Sequence, residues 1–471
     1  MTIRKIPFSQ GNRQISIKKI LFVVPRSLNP KQMYREYPLG VGFIGTVLQE
    51  RGYEVTIFDQ NAEGADEQLL WDRISLFQPD VIGFSIITPN YPVARLQIAE
   101  IKHRFPEMVM IAGGIHVNLF PEDILFDGVD IAVLGEGEYT TCRLLEALGT
   151  GHPLMDVQGV AFMESGSMRI NPKDPRPLSI DELPIIDRNL YRLELYSHHS
   201  MVASRGCPYD CTFCCNYTGT VLVKGVAVSG HERVIREMAI LEKDFGAKEI
   251  FFADDIFFLK KKGIITFCEE YVASGLSASW IGQLRADSMD ASVAEAMASA
   301  NCKRIYFGIE SGSDDILSRA SKRATAERML SGVQCASNAG IRVKTGWIYG
   351  LPGSLAEQRK SIDLMLRMRP HEISIHQLIP FPGTAYYSRS QEFGIQIKNP
   401  KDFESFCYGG LGGNISFDYM SPSELIALLE ETAIALEREG YVSSDIATPE
   451  DEFVYTSPLH QKSMTVFRNG S

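Results

Sequence analysis

Short runs of β-branched and aromatic residues alternate with longer amphipathic stretches along the first third of the chain. The short runs predict buried strands, and the stretches between them, such as residues 93–104, have helical spacing. Strand–helix units repeated in this way predict a doubly wound, Rossmann-like parallel sheet. The predicted strands span residues 19–24, 54–59, 81–87, 109–112 and 131–134.

The segments that follow these strands are rich in glycine and small polar residues. In a parallel sheet of this kind, ligands bind outside the carboxyl ends of the strands. Glycine allows a ligand to approach the backbone closely, but it also serves ordinary tight turns. The pattern alone therefore leaves open both a ligand-binding edge and plain turns at residues 25–40, 88–91, 113–116 and 135–138.

Residues 151–197 contain several prolines, which interrupt helices and strands alike. We therefore expect a domain of residues 17–150, preceded by an extension of residues 1–16, and an irregular connector over residues 151–197.

A second strand–helix alternation begins near residue 200 and predicts a barrel domain over residues 198–388. Six such units fall short of the eight that close a full barrel, so a partial (βα)6 barrel is expected. Residues 389–471 predict a small, mainly helical region over the barrel mouth, with a helix at 423–439, a glycine-rich segment at 408–414 and a polar tail from 448. The predicted barrel strands are 201–204, 249–253, 279–283, 304–307, 342–347 and 372–375.

Composition narrows the class of protein. The 471 residues are 45% hydrophobic, which is typical of a globular protein. Their net charge of −11 is unfavourable for binding nucleic acid. Nine cysteines, an odd number, indicate reduced thiols rather than a secreted disulfide framework. The sequence has neither an apolar run long enough to span a membrane nor a signal peptide, so a cytoplasmic protein is expected.

The most specific motif is the spacing of Cys207, Cys211 and Cys214 directly after the first barrel strand. Thiolates are the natural ligands of iron–sulfur clusters and zinc. A structural zinc site needs four protein ligands, and the adjacent Cys215 is poorly placed to share an ion with Cys214. A ferredoxin-like carrier also needs a fourth cysteine. Three cysteines instead leave one iron of a cluster open for chemistry.

This CxxxCxxC loop, at the start of a six-unit barrel, resembles the radical S-adenosylmethionine (radical SAM) superfamily. The resemblance implies that Cys207, Cys211 and Cys214 bind a [4Fe-4S] cluster whose open iron chelates S-adenosylmethionine. One electron then cleaves the sulfonium to methionine and a 5′-deoxyadenosyl radical. Phe213 matches the family position whose backbone approaches the adenine.

Other strand-end residues carry the same resemblance. Asp254 or Asp255 would bind the amino end of S-adenosylmethionine, although the family's common GGE form is absent and a solvated acidic turn is the alternative. Arg285 would pair with the carboxylate of S-adenosylmethionine, with a structural ion pair as its alternative. Glu310 would reach the ribose hydroxyls, with Ser311 beside it.

Four short motifs mark the strand ends and the first helix start of the first domain, namely PLG at 38–40, DVIGFS at 80–85, GGIH at 113–116 and GEGE at 135–138. With these motifs the domain resembles the cobalamin (B12)-binding domain that precedes many radical SAM barrels. The D-x-H-x-x-G element that supplies a cobalt-ligating histidine is missing, but relatives that lack it can still hold cobalamin. We expect His116 to have a loop or supporting role rather than to bind cobalt. The resemblance implies cobalamin contacts at Gly40, Ser85, Gly113, Gly114, Gly135 and Glu136.

The resemblance favours a cobalamin-dependent radical SAM methyltransferase acting on a small-molecule substrate. The alternative is a radical SAM dehydratase, cyclase or rearrangement enzyme of secondary metabolism whose first domain is a scaffold without cobalamin. RNA modification fits the acidic charge poorly, and an iron–sulfur regulator fits neither the cysteine count nor the barrel loops. Flavodoxin or ferredoxin is the expected electron donor, and no sequence signal identifies a catalytic acid or base.

Overall fold

The structure is a computed structural model that describes residues 15–27, 36–64, 66–173, 180–215, 226–258, 260–406, 413–443 and 452–456. The described residues up to Ser197 form one compact unit, and those from His198 onward form a second.

The first unit is built on a parallel sheet, as the sequence predicts. Its first two strands have the predicted bounds: β1 is buried from its second residue onward, and β2 is buried at Val55 and from Ile57 to its end. The strands follow the order β2-β1-β3-β4-β5, and all five are parallel. The order in which successive strands are added to the sheet therefore reverses between β1 and β3, which is the topological switch point. The strands are β1 (Lys19–Val24), β2 (Glu54–Asp59), β3 (Val81–Ser85), β4 (Val109–Gly113) and β5 (Ile131–Val133).

Helices connect these strands. The predicted helix at 93–104 is confirmed and begins slightly earlier, at Tyr91, followed by a proline in its first turn where no backbone N–H is needed. The helices of the first unit are α1 (Leu39–Glu50), α2 (Gln60–Glu63), α3 (Glu67–Phe77), α4 (Tyr91–Arg104), α5 (Ile115–Leu119), α6 (Pro121–Phe126) and α7 (Gly137–Thr150).

The expectation that residues 151–197 are irregular throughout is wrong for one stretch. Strands β6 (Val160–Glu164) and β7 (Ser167–Ile170) form a hairpin, and β6 pairs antiparallel with β5. Ser165 and Gly166 both have positive φ, which is the backbone that a two-residue hairpin turn requires. The hairpin therefore extends the first sheet to the order β2-β1-β3-β4-β5-β6-β7.

The second unit contains the predicted partial barrel. Six parallel strands follow the order β8-β11-β12-β13-β14-β15, and antiparallel β19 and β18 continue the sheet beyond β15. Its strands are β8 (His199–Met201), β9 (Ser204–Arg205), β10 (Ala227–Val228), β11 (Glu249–Phe252), β12 (Ser279–Leu284), β13 (Cys302–Glu310), β14 (Arg342–Tyr349), β15 (Glu372–Gln377), β16 (Ile395–Ile397), β17 (Ile415–Phe417), β18 (Val442–Ser443) and β19 (Glu452–Thr456).

Helices pack against the outer face of this sheet. The predicted helix at 423–439 is confirmed and spans Pro422–Arg438. The helices are α8 (His231–Phe245), α9 (Lys261–Ser274), α10 (Ala291–Ser299), α11 (Asp314–Arg319), α12 (Ala326–Asn338), α13 (Leu355–Met368), α14 (Ala385–Ser388) and α15 (Pro422–Arg438). None of the described helices is both long and apolar enough to cross a membrane.

Residues along the barrel strands alternate between the core shared with the helices and the opposite face of the sheet. On β13, Ile305, Phe307 and Ile309 are fully buried in the core shared with the helices. The intervening Tyr306 and Gly308 lie on the opposite face, because successive side chains of a strand point to opposite sides. The barrel strands therefore direct one residue in two away from the helical layer.

The C-terminal region differs from the expected polar tail. Residues 452–456 form β19, which pairs with β15 over its whole length, so the tail prediction is wrong there. Strands β16 and β17 form a separate antiparallel pair, and α15 follows them in the chain. Most of the glycine-rich segment 408–414 lies outside the described residues.

Candidate functional site

The three motif cysteines lie on one loop directly after β9. Gly206, which opens the loop, has φ of +85°, and none of the described cysteines forms a disulfide. Burial raises the pKa of the Cys207 thiol and raises the pKa of Cys211 to about 11. Cys214 raises the pKa of both electrostatically, so the three thiols lie close enough to interact.

This donor set can supply the three thiolate ligands of a four-iron cluster. Among the described residues, no group of three or more histidine, cysteine or carboxylate side chains converges to hold one metal ion. The ligands of a four-iron cluster bind different irons and need not converge on one point. Three interacting thiols on one loop therefore fit a [4Fe-4S] cluster with one open iron.

Two neighbouring carboxylates fix the start of the cysteine loop, and the structure separates their roles. Asp254 is buried and accepts hydrogen bonds from the backbone N–H groups of Ala203 and Ser204 and, at 2.6 Å, from the Ser204 hydroxyl. Burial raises the pKa of Asp254 to about 7. Asp255 is exposed, and its Oδ2 accepts from the Gly206 N–H at 3.0 Å. Asp254 thus holds β9, whereas Asp255 stands at the loop itself.

The segment after α11 holds the rest of the loop. Thr212 N donates to the carbonyl of Ala320 at 3.0 Å, and Arg323 pairs with Asp210 at 2.6 Å. Ser321 and Arg323 both have left-handed backbone, with φ of 53° and 54°. Such strain persists where the surrounding structure enforces it, as at ligand sites. The loop is thereby fixed by a segment more than 100 residues away in sequence.

Arg285 forms the structural ion pair that the sequence left open as an alternative. Its Nε and one terminal nitrogen each lie 3.0 Å from the Asp287 carboxylate, in a bidentate pair. The guanidinium also stacks 4.0 Å from the ring centroid of Tyr209 and donates to the Lys322 carbonyl at 2.6 Å. Arg285 is buried, so it joins the cysteine loop to the 320–323 segment from within the protein.

Glu310 and Ser311 occupy different surroundings. Lys322 Nζ donates to Glu310 Oε1 at 3.0 Å and lies 5.9 Å from the centroid of the Phe213 ring. Ser311 is fully buried, and its hydroxyl accepts from the Ser313 N–H at 3.1 Å, at the start of α11. The structure therefore brings together Glu310 and Phe213 through Lys322, a residue that the sequence analysis missed.

In the first unit, the predicted cobalamin-contact residues lie along the carboxyl edge of the sheet. Among the residues that the structure describes, none would lie within 4 Å of a Cβ atom added at Gly40 or Gly135, so this part of the structure leaves the backbone accessible there. Gly114 has φ of +112°, and a Cβ there would collide with the Ile86 carbonyl. The edge includes Ser85, Gly113 and Glu136, which are half-buried beside buried strand residues. This open edge fits a large planar cofactor that approaches the backbone.

His116 lies beneath that edge instead of projecting from it. Its side chain is fully buried, stacks 4.1 Å from the Tyr91 ring and lies 3.2 Å from the Thr88 hydroxyl through Nδ1. Burial lowers the pKa of His116 to about 3, so the imidazole is neutral at ordinary pH. The expected supporting role fits this geometry.

Two family descriptions match the chain in the same order as its two units. Residues 31–145 match the B12 binding domain, and residues 201–365 match the radical SAM superfamily. An uncharacterized methyltransferase of Pyrococcus horikoshii is 33% identical over 366 residues, which are 74% of this chain and 77% of that protein. The chain belongs to the radical SAM superfamily and carries a B12-binding domain.

Other similarities of this radical SAM enzyme include a cyclase and a solved methyltransferase structure. The anaerobic magnesium-protoporphyrin IX monomethyl ester cyclase of Rubrivivax gelatinosus is 25% identical over 386 residues, 78% of this chain and 68% of the cyclase. The methyltransferase TsrM from Kitasatospora setae, with cobalamin and a [4Fe-4S] cluster bound, has a TM-score of 0.73 at 17% identity, covering 89% of each chain. That likeness shows a common fold.

The matched domains imply three cofactors for this radical SAM enzyme, namely S-adenosylmethionine, a [4Fe-4S] cluster and cobalamin. The cysteine loop offers the thiols that the cluster needs. The open glycine edge of the first unit offers the backbone access that cobalamin needs. Both predicted cofactor sites are therefore compatible with the residues present.

Proposed function

We propose that this protein is a cobalamin-dependent radical SAM methyltransferase that methylates carbon in a small-molecule substrate. The observation that carries the proposal is the presence, in one chain, of a thiol loop suited to a cluster and an open sheet edge suited to cobalamin. The 33% identity to a protein named as a methyltransferase supports the same reaction class.

When bound, the three cofactors would supply a carbon-centred radical and a methyl group to combine with it. The contributions of this chain are positional. Cys207, Cys211 and Cys214 hold the cluster, and Asp254 fixes the strand that leads into their loop. Asp255, exposed at the loop, is the better placed of the two carboxylates to meet the amino group of S-adenosylmethionine.

The geometry also revises two of the expected contacts with S-adenosylmethionine. The fork of Arg285 already binds the Asp287 carboxylate, so we assign Arg285 to holding the cysteine loop. Ser311 is buried against the start of α11, which supports a role in orienting the chain after Glu310. Glu310 and Phe213 remain the residues proposed to meet the ribose and the adenine.

An anaerobic preparation tests the proposal directly. We expect the purified protein to retain cobalamin and, with a reductant and substrate, to release both 5′-deoxyadenosine and S-adenosylhomocysteine. Cys207→Ala is expected to abolish both products because it removes a cluster ligand. Cys335→Ala is the matched control, since Cys335 is a half-buried thiol on α12 outside the loop.

The identity to the cyclase supports a second candidate, a radical cyclase or rearrangement enzyme. The same assay separates the two. Production of 5′-deoxyadenosine without S-adenosylhomocysteine, in a protein free of cobalamin, would replace the methyltransferase proposal. Transfer of a labelled methyl group from S-adenosylmethionine to the product would exclude the second candidate.

The remaining assignments concern partners and place. We propose a neutral or cationic substrate, because the net charge of −11 disfavours polyanions. Flavodoxin or ferredoxin is the proposed reductant. The cytoplasm is the proposed compartment, because a catalytic iron–sulfur cluster is sensitive to oxygen. Binding of reduced flavodoxin or ferredoxin, measured by the rate of cluster reduction, tests the donor assignment.

A further inference from the structure

A buried lysine, Lys322, lies where the end of β13, the cysteine loop and the segment after α11 meet. Lys322 is 6% exposed, although lysine is almost never buried without a charged partner. Its ammonium group donates to Glu310 Oε1 at 3.0 Å, and Glu310 is itself largely buried. The pair is therefore shielded from solvent, where a charge-assisted hydrogen bond orders both side chains.

The backbone is shaped to bring these two side chains together. Glu310 has left-handed backbone, with φ of 71°, and the register between β13 and β14 shifts just before it. A Cβ at Gly308 would collide with the Glu310 carboxylate and approach Lys322 Nζ to 3.4 Å. A larger residue at this position would displace the Glu310 carboxylate, so Gly308 accommodates the pair in the position observed.

Lys322 is also anchored from its own side. Its carbonyl accepts from Arg285 at 2.6 Å, and its N–H donates to the Leu317 carbonyl at 2.9 Å. The residues on either side of it have the left-handed backbone described above. The ammonium therefore has a defined position, 5.9 Å from the centroid of the Phe213 ring.

We propose that Lys322 is a positioning residue that holds the Glu310 carboxylate toward the ribose hydroxyls of S-adenosylmethionine. The inference rests on the assignment of Glu310 to the ribose. A carboxylate that is already oriented loses less rotational freedom when S-adenosylmethionine binds, which increases affinity. Lys322 acts on the cofactor through Glu310, so its effect depends on that carboxylate.

Binding of S-adenosylmethionine to the anaerobically reconstituted full chain, measured by equilibrium dialysis, tests this coupling. We expect Lys322→Met to weaken binding by roughly 10- to 100-fold, by analogy with the loss seen when the hydrogen-bond partner of a metal ligand is removed. Glu310→Gln should weaken it by a similar factor. The double variant should lose no more than either single variant, because both remove the same contact. Lys322→Arg should restore much of the affinity.

A second readout separates positioning from general structural damage. Wild-type protein should prefer S-adenosylmethionine over its 2′-deoxyribose analogue, and that preference should shrink equally in Lys322→Met and Glu310→Gln. Damage to the fold would weaken both ligands alike and leave their ratio unchanged. Lys360→Met is the matched control, because Lys360 faces Asp315 at 4.0 Å in an exposed pair.

Several results would overturn the inference. The first is an additive loss of affinity in the double variant, and the second is an unchanged preference between the two ligands in the single variants. The third is a loss of bound iron and sulfide in both Lys322→Met and Lys322→Arg, which would assign Lys322 to holding the cysteine loop. None of these measurements requires turnover. The inference can therefore fail while methyl transfer is observed, or hold in a protein that proves to be a cyclase.

Discussion

The buried imidazole of His116 makes the first unit sensitive to acid. Its pKa is lowered from 6.5 to about 3 by burial, so the unfolded chain binds a proton that the folded chain excludes. The stability that His116 contributes is fully present above pH 6.5 and is lost as pH falls toward 3. One pH unit in this window corresponds to about 1.4 kcal/mol.

The expected effect at pH 5 follows from these values. The pH then lies 6.5 − 5, or about 1.5 units, below the pKa of an exposed histidine, so the first unit should lose about 2 kcal/mol relative to neutral pH. His116→Gln removes the titration while its amide can still reach the Thr88 hydroxyl. This variant should lose about 2 kcal/mol less than wild type over the same interval.

Hydrogen-exchange mass spectrometry of peptides covering β3 and β4, in urea at pH 7 and pH 5, measures this difference within the first unit. His152→Gln is the control, since its exposed imidazole faces Asp156 at 3.5 Å. Equal losses between the two pH values in wild type and His116→Gln would refute the reasoning. They would mean that the imidazole is solvated or charged in the folded protein.

Further predictions concern the two cofactor regions. Gly114→Ala should destabilise the first unit by about 2–4 kcal/mol in urea unfolding, because positive φ and a collision with a carbonyl combine. Gly135→Ala, in open space, should cost only about 1 kcal/mol, and equal costs would contradict the packing. Asp254→Ala should lower the iron content after reconstitution, since it leaves buried N–H groups unsatisfied, whereas Asp254→Asn should retain more. Arg285→Lys should weaken the loop, raising iron loss to a chelator at least several-fold, because lysine cannot form the bidentate pair with Asp287; unchanged chelation kinetics would argue against this role.

The parallel strands could be predicted because buried strands consist mainly of apolar and β-branched residues, and this composition is visible in the sequence. Strands such as β1 and β2 are short runs of mainly apolar residues bounded by polar residues, and the parallel strands of both sheets required no other signal. The hairpin of β6 and β7 was not predicted, because the prolines within residues 151–197 indicated an irregular connector over the whole segment. The Ser165–Gly166 pair was the available signal for its turn.

The site residues were predictable only as far as a motif names them. The cysteine spacing identified the loop, but adjacency in sequence could not separate Asp254 from Asp255. Their difference arises from which side chain turns toward β9, and that depends on tertiary packing. Lys322 gave no signal, because a lysine in a polar stretch is ordinarily solvated. Its burial results from left-handed backbone and from contacts with residues distant in the chain.

The pairing of β19 with β15 has a consequence for biosynthesis. Strand β15 presents a row of backbone hydrogen-bonding groups on that side until residues 452–456 have left the ribosome and returned to it. An unpaired strand edge of this kind is a template for association with other chains. Long-range pairing of this sort also slows folding. We therefore expect chains interrupted before residue 452 to be recovered mainly as aggregates, even though the cysteine loop and every parallel strand have by then been made.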